Sequence, residues 1–263
     1  MRLQLLSDLH LETEAFTPRP APEAELLVLA GDIDSSWAAL ERFASWPHPV
    51  LFVAGNHEFD RRELNTAWPA LRARCTVLGI DLLEREERLL RGDDGRRIRF
   101  LGTTRWCDFG LFGEAQRERC QRAARYFVEV MRSTRGGALL DAAAVREEAL
   151  ACRDWLARSL SAPPSDGESA DATVVITHYA PSFRSVDPRY GDQPGTASFC
   201  NADDDLLPLA DLWLHGHLHC RHDYLALHPP GAPRASTRVV SNARGHSQKG
   251  ESDGHDGLLC VTV

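Results

Sequence analysis

No stretch of this 263-residue chain approaches the ~18 consecutive apolar residues of a membrane-spanning helix. That excludes a helical membrane protein. The opening MRLQLLSDLH has too short an apolar run for a signal peptide, and Asp8 interrupts it. The expectation is a cytoplasmic protein. Basic charge is in deficit, with 30 Lys and Arg against 38 Asp and Glu, a net charge of −8 and a pI near 5.8. A basic nucleic-acid-coating stripe is therefore not indicated. A phosphate substrate is still compatible, because bound divalent ions dominate the field of the site that holds them. The seven cysteines (Cys75, Cys107, Cys120, Cys152, Cys200, Cys220, Cys260) are odd in number, scattered and without a CxxC pair. This argues against a disulfide framework or a thiolate zinc site and for reduced thiols, several of them buried. No repeat occurs at solenoid or propeller spacing. Low complexity is confined to three Pro-, Gly- and Ser-rich stretches, residues 17–23, 161–172 and 228–236.

The remainder has globular composition, 43% hydrophobic and 26% charged. Short apolar runs read as strands at Leu3–Leu6, Leu26–Ala30, Val50–Ala54, Ile98–Gly102, Val174–Thr177, Leu212–Leu214, Val239–Ser241 and Leu258–Val263. Several are apolar at consecutive positions, as expected of strands covered on both faces. Glu87–Leu101 reads as a hairpin turning at Asp93-Asp94-Gly95. Helices are expected at Trp37–Phe43, Leu64–Arg72, Glu114–Arg132 (apolar stripe Ala123, Phe127, Val130, Met131) and Val145–Leu160 (Val145, Ala149, Cys152, Leu156, Leu160). The last two form one excursion. The chain thus reads as a single α/β domain over residues 1–263 with a helical insertion at about 110–162.

Polar residues recur where the apolar runs stop: LLSDLH, LVLAGD, LFVAGNHE, VVITH and LWLHGHLH. Ligands of open α/β sheets bind beyond the carboxyl ends of strands, and these residues are of metal-ligand type. Asp8 and His10 are two apart, as are His217 and His219, so in extended chain each pair projects to one side. Gly31, Gly55 and Gly216 precede Asp32, Asn56 and His217 and permit sharp turns and close approach. Taken singly, Asp-x-His is usually a solvated pair, Gly-Asn-His a turn, and a lone His178 a structural histidine. Five such elements in order, each after an apolar strand, require five coincidences of the bland reading.

In this ordered set, Asp8-Leu9-His10, Gly31-Asp32, Gly55-Asn56-His57-Glu58, His178 and Gly216-His217-Leu218-His219, the sequence resembles the calcineurin-like metallophosphoesterase superfamily. The resemblance spans residues 8–219. It implies a four-layer α/β/β/α sandwich and two divalent ions, Mn, Fe, Zn or similar, with manganese or iron expected. One ion would take Asp8, His10, Asp32 and His219, the other Asp32, Asn56, His178 and His217, with Asp32 bridging. A bridging carboxylate offsets the repulsion of two neighbouring dications, and such a pair can activate a bridging water for attack on phosphorus. His57 is assigned proton donation to the leaving oxygen, suited to a side chain titrating near neutrality, with Asp34 or Asp60 as orienting partner. The sequence departs from the usual pattern at Tyr179, where a second histidine is common, and at Leu218, where threonine is common. The segments Gly102–Phe109 and Ser241–His246 resemble those of small bacterial members, with Arg244 as a phosphate contact and Trp106 as a pocket wall, against structural readings of both. His48, His215, His222, His228 and His255 match no motif and read as structural or solvated.

The expected activity is hydrolysis of a phosphomonoester or phosphodiester by a dinuclear centre and its bridging hydroxide. Substrates are phosphorylated small molecules, nucleotides or diesters. The protein Ser/Thr phosphatase branch is disfavoured, because Gly31-Asp32-Ile33-Asp34-Ser35-Ser36 lacks that branch's arginine. A cyclic-nucleotide phosphodiesterase is the narrower enzymatic alternative, and a non-catalytic metal-binding scaffold is the alternative from another class. The sequence sets no oligomeric state.

Overall fold

The computed structural model describes residues 1–263. Thirteen strands and three α-helices follow one another as β1 (Arg2–Leu6), β2 (Leu26–Ala30), β3 (Val50–Val53), α1 (Leu64–Leu78), β4 (Asp81–Leu82), β5 (Glu86–Arg91), β6 (Arg97–Thr103), α2 (Arg117–Met131), β7 (Thr134–Arg135), β8 (Ala138–Leu139), α3 (Ala142–Ser161), β9 (Ala172–Thr177), β10 (Leu212–His215), β11 (Arg221–Leu227), β12 (Ser236–Asn242) and β13 (Cys260–Thr262). No helix is long and apolar enough to cross a membrane.

The chain is mixed α/β, built on two large mixed sheets. One has the order β13-β1-β2-β3-β4, the other β11-β12-β10-β9-β6-β5. In the first, β1 to β4 run parallel and only β13 opposes them; in the second, β6, β9, β10 and β12 run parallel between antiparallel edges β5 and β11. The consecutive apolar runs have the burial expected of them, because side-chain parity sends alternate residues to two different cores. Leu3, Leu5, Leu26, Val28, Leu51 and Val53 meet Ile98, Phe100, Val174, Ile176, Leu214 and Val240 in a core shared by both sheets. The intervening Leu27, Leu29 and Phe52 pack with Leu64, Leu71 and Cys75 of α1. In the second sheet, Leu101, Val175, Trp213 and Val239 face Leu156 and Leu160 of α3.

Three helical expectations change, the first because Trp37–Phe43 is a 3-10 turn over Ala38–Phe43 and not an α-helix. α1 continues past Arg72 to Leu78, through Pro69, and stops at Gly79 in the left-handed conformation (φ 69°). The buried stripe of α2 is Cys120, Ala124, Val128 and Met131; Phe127 and Val130 are exposed. The sequence reading favoured bulky residues, whereas small Cys120 and Ala124 occupy the correct phase of the 3.6-residue period. α3 buries the expected Val145, Ala149, Cys152, Leu156 and Leu160, and is capped by Asp141, whose carboxylate accepts from the Ala144 N–H. Between these helices lies a hairpin of β7 and β8 that was not expected. Gly136 and Gly137, both at positive φ, form its turn. β11 was also missed, because its outer face mixes Arg221 and Asp223 with exposed Leu225 and Leu227, and only Ala226 is fully buried.

Candidate metal centre

Asp8 and His10 follow β1, Asp32 follows β2, Asn56 follows β3, His178 follows β9, and His217 and His219 follow β10. A parallel bridge between Ser7 and Ala243 brings the ends of the two sheets together. The main chain at these positions is not extended. Asp8, His10, Asp32, His217 and His219 have φ of 52°, 45°, 53°, 73° and 50°. The expectation that alternation along extended chain puts Asp8 beside His10 and His217 beside His219 is therefore corrected: left-handed turns carry these side chains inward. A left-handed non-glycine residue costs about 1–2 kcal/mol, and such strain concentrates at functional sites.

Neighbouring groups hold the turns. Both Asp8 carboxylate oxygens accept from the His217 main-chain N–H, at 2.9 and 3.0 Å. Glu58, fully buried, accepts from the N–H groups of Asp32 (3.0 Å), Ile33 (2.7 Å) and Gly55 (2.6 Å), tying the β2 and β3 loops to one carboxylate. Burial and the Asp32 charge push the Glu58 pKa up to about 7. The glycines are required by space: a Cβ at Gly31 would overlap His178, one at Gly55 would overlap Asp32, and one at Gly216 would press on Asp8 and the Ala30 carbonyl.

The imidazoles share one arrangement. His178 Nδ1 faces the Ala30 carbonyl at 2.9 Å, His217 Nε2 the Ser198 carbonyl at 3.2 Å, His219 Nδ1 Glu251 Oε2 at 2.7 Å, and His10 Nδ1 Glu12 Oε1 at 3.2 Å. Each of these partners can only accept, so in the neutral imidazole the outer nitrogen carries the hydrogen and the inner nitrogen has the lone pair. The inner nitrogens confront other acceptors. His10 Nε2 lies 3.0 Å from His219 Nε2, and His178 Nε2 lies 3.1 Å from His217 Nδ1, 3.2 Å from Asn56 Oδ1 and 3.1 Å from Asp32 Oδ2. Asp32 Oδ2 is buried with no hydrogen-bond partner. Lone pairs converging without donors fit a cation, and the residues group as two overlapping sets, Asp8, His10, Asp32, His219 and Asp32, His178, His217. Imidazole and oxygen donors without thiolate suit divalent transition ions.

His57 stands at the rim, its side chain 30% exposed. Its N–H donates to Asp32 Oδ1 (2.9 Å), and its Nδ1 lies 2.8 Å from Asp60 Oδ2. Of the two carboxylates, Asp60 is the one in contact with His57; Asp34 instead accepts from Ser36 and the Ala39 N–H in a neighbouring turn. The extended backbone expected at Asn56 and His57 is corrected, since Asn56 is helical (φ −77°) and His57 opens a 3-10 turn. Burial acts to lower the His57 pKa, but the Asp32 charge and the Asp60 bond prevail and raise it to about 10.

The two expected substrate contacts, Trp106 and Arg244, are both buried. Trp106 is 1% exposed, packed between Phe59 and Tyr179, and Tyr179 is what stacks on His217, with ring centroids 4.0 Å apart. The Arg244 guanidinium lies over Phe16 and donates to Glu14 (2.9 Å) and the Gly245 carbonyl, so its charge is already partnered. In the Gly102–Phe109 segment, buried Arg105 clamps Asp203 and Asp108. Sequence reasoning missed Glu12, Glu58 and Glu251 as supports and His246 as a neighbour of His10 and His219. Glu58 had a signal in its place within Gly55-Asn56-His57-Glu58; Glu251, 32 residues beyond His219, had none.

Mixed α/β sheets whose strand ends gather histidines and aspartates around converging lone pairs define a metal-binding protein. The chain belongs to the calcineurin-like phosphoesterase family, whose profile matches residues 1–221. No curated protein matches the chain by sequence comparison.

Proposed function

We propose that this protein hydrolyses phosphomonoesters or phosphodiesters with two divalent ions, Mn, Fe or Zn. The observation that carries the reading is the convergence of four imidazole lone pairs, Asn56 Oδ1 and the unpartnered Asp32 Oδ2. Asp8, His10, Asp32 and His219 would hold one ion and Asp32, Asn56, His178 and His217 the other. Such ions, when bound, supply Lewis acidity, activating water and neutralising phosphate charge. Asp32 separates the two sets with one carboxylate. Glu58 keeps the Asp32 and Asn56 loops in register. His57, held through Nδ1 by Asp60, keeps Nε2 free to present a proton to the leaving oxygen. We read the layering of the three cores as the four-layer α/β/β/α sandwich, in a single domain whose insertion at about 110–162 borders the site.

The test is elemental analysis of manganese-loaded protein together with turnover of bis-p-nitrophenyl phosphate and p-nitrophenyl phosphate. Two ions per chain and metal-dependent turnover of at least one ester are expected. Full activity with one ion would overturn the dinuclear reading. Two ions with no turnover on a wider ester panel would leave a metal-binding scaffold.

A further inference from the structure

We propose that His246 is an additional protein ligand of the ion held by His10 and His219, a role that rests on the metal-centre reading above. His246 lies beyond residues 1–221, where the family profile ends. Its ring centroid is 4.5 Å from that of His10 and 5.1 Å from that of His219. One ligand atom from each of the three histidines falls within 4.8 Å of the others.

The placement of His246 is built from several sides. Its main-chain N–H donates at 2.9 Å to Glu251 Oε2, the oxygen that also faces His219 Nδ1. Its Nδ1 lies 3.4 Å from Glu14 Oε1, while Glu14 Oε2 accepts from Arg244 and the Ser247 N–H. With Nδ1 turned to a carboxylate, Nε2 is left as the free lone pair. The preceding Gly245 donates its N–H to the Asp8 carbonyl, and it has φ of 66°. A Cβ there would come within 2.8 Å of His219 and Glu251 side chains, so the loop lies directly on the ligand shell. A merely solvated histidine needs no such double anchoring. Buried Arg244 thereby acquires a purpose different from phosphate binding: it fixes Glu14, which faces His246. A third imidazole beside two carboxylates would bias this position towards zinc, cobalt or iron over magnesium.

The test is calorimetric titration of chelator-stripped protein with Mn²⁺ and, separately, Co²⁺, with the visible spectrum of the Co²⁺ form. Wild type is expected to take two ions. His246→Ala is expected to take both, one with affinity lowered at least ~10-fold, the scale at which even supporting residues act. The Co²⁺ spectrum should change with it. His246→Gln, which preserves bulk and solubility, should show the same loss and replaces the alanine variant if that does not fold. Wild type with two ions and unchanged affinities and spectra in the variants would overturn the role of His246 alone. Wild type that binds no ions would bring down the underlying metal-centre reading with it.

Discussion

At the scale of single residues, the sequence showed which side chains the fold would gather, whereas their backbone could not be read from it. Nothing in Asp8, His10, Asp32, His217 or His219 announces a left-handed conformation, because the main-chain bonds there reach across the sequence: Asp8 and His10 donate to the Gly31 and Asp32 carbonyls, Asp32 to Glu58, and His217 to Asp8. Two predictions belong here. Asp32 serves both proposed ion sets, so Asp32→Asn should weaken both ions, each by at least ~10-fold. Wild-type turnover at limiting Mn²⁺ in that variant would remove the bridging role. His57→Gln should keep both ions and lose turnover by ~10²–10⁴-fold on esters with poor leaving groups. The deficit should shrink for p-nitrophenolate, which departs without protonation. Loss of metal in the variant would make His57 a ligand instead.

At the scale of elements, strands were legible because a short apolar run covered on both faces permits few alternatives. The α2 stripe was not, because its burial is decided by a close approach to residues Pro194–Ser198 and not by side-chain size. One result is an aromatic path: Phe127 lies 5.0 Å from Phe199, and Phe199 lies 5.1 Å from His217. We predict that Phe127→Ala lowers kcat/KM for bis-p-nitrophenyl phosphate by ~2–10-fold, the value of one aromatic contact. Methyl p-nitrophenyl phosphate, with the same leaving group but no second ring, should be affected much less. Equal losses on the two esters would detach the insertion from substrate choice. The loop after β12 carries a pH prediction. Burial acts to raise the Glu14 pKa, but Arg244 and Ser247 hold it down from 4.5 to about 2. A depressed carboxylate stabilises the fold above pH 4.5, and that stabilisation is lost as pH falls towards 2. Glu14→Gln should therefore lower the unfolding midpoint at neutral pH and flatten its decline across this window, measured by circular dichroism. An unchanged acid limb would mean that the pair contributes nothing to holding the loop.

For the whole molecule, sequence disclosed that the candidate ligands follow strands; two sheet layers came from the family resemblance, and which strand joins which sheet came from neither. β1 to β3 and β9 to β10 look alike as apolar runs, and only pairing across many intervening residues assigns them. The candidate ligands come from both sheets, so an ion bound there would tie the sheets together. Chelation is predicted to lower the thermal midpoint, since a ligand at 100 times its Kd contributes ~2.7 kcal/mol. Titrating Mn²⁺ back should restore the midpoint in a concentration-dependent way. A midpoint indifferent to both treatments would mean that ions do not bridge the sheets.

The left-handed turns also bear on how quickly a stripped protein recovers. Their conformation is enforced by hydrogen bonds within the protein, through Glu58 to the Asp32 loop and through Asp8 to His217. Those contacts offset the cost of bending the chain without help from an ion. Small domains that need metal in order to fold must search for their ligand geometry at the moment of capture. If those contacts persist after chelation, reloading should follow the encounter and dehydration of the ion, without waiting for a rearrangement of the chain.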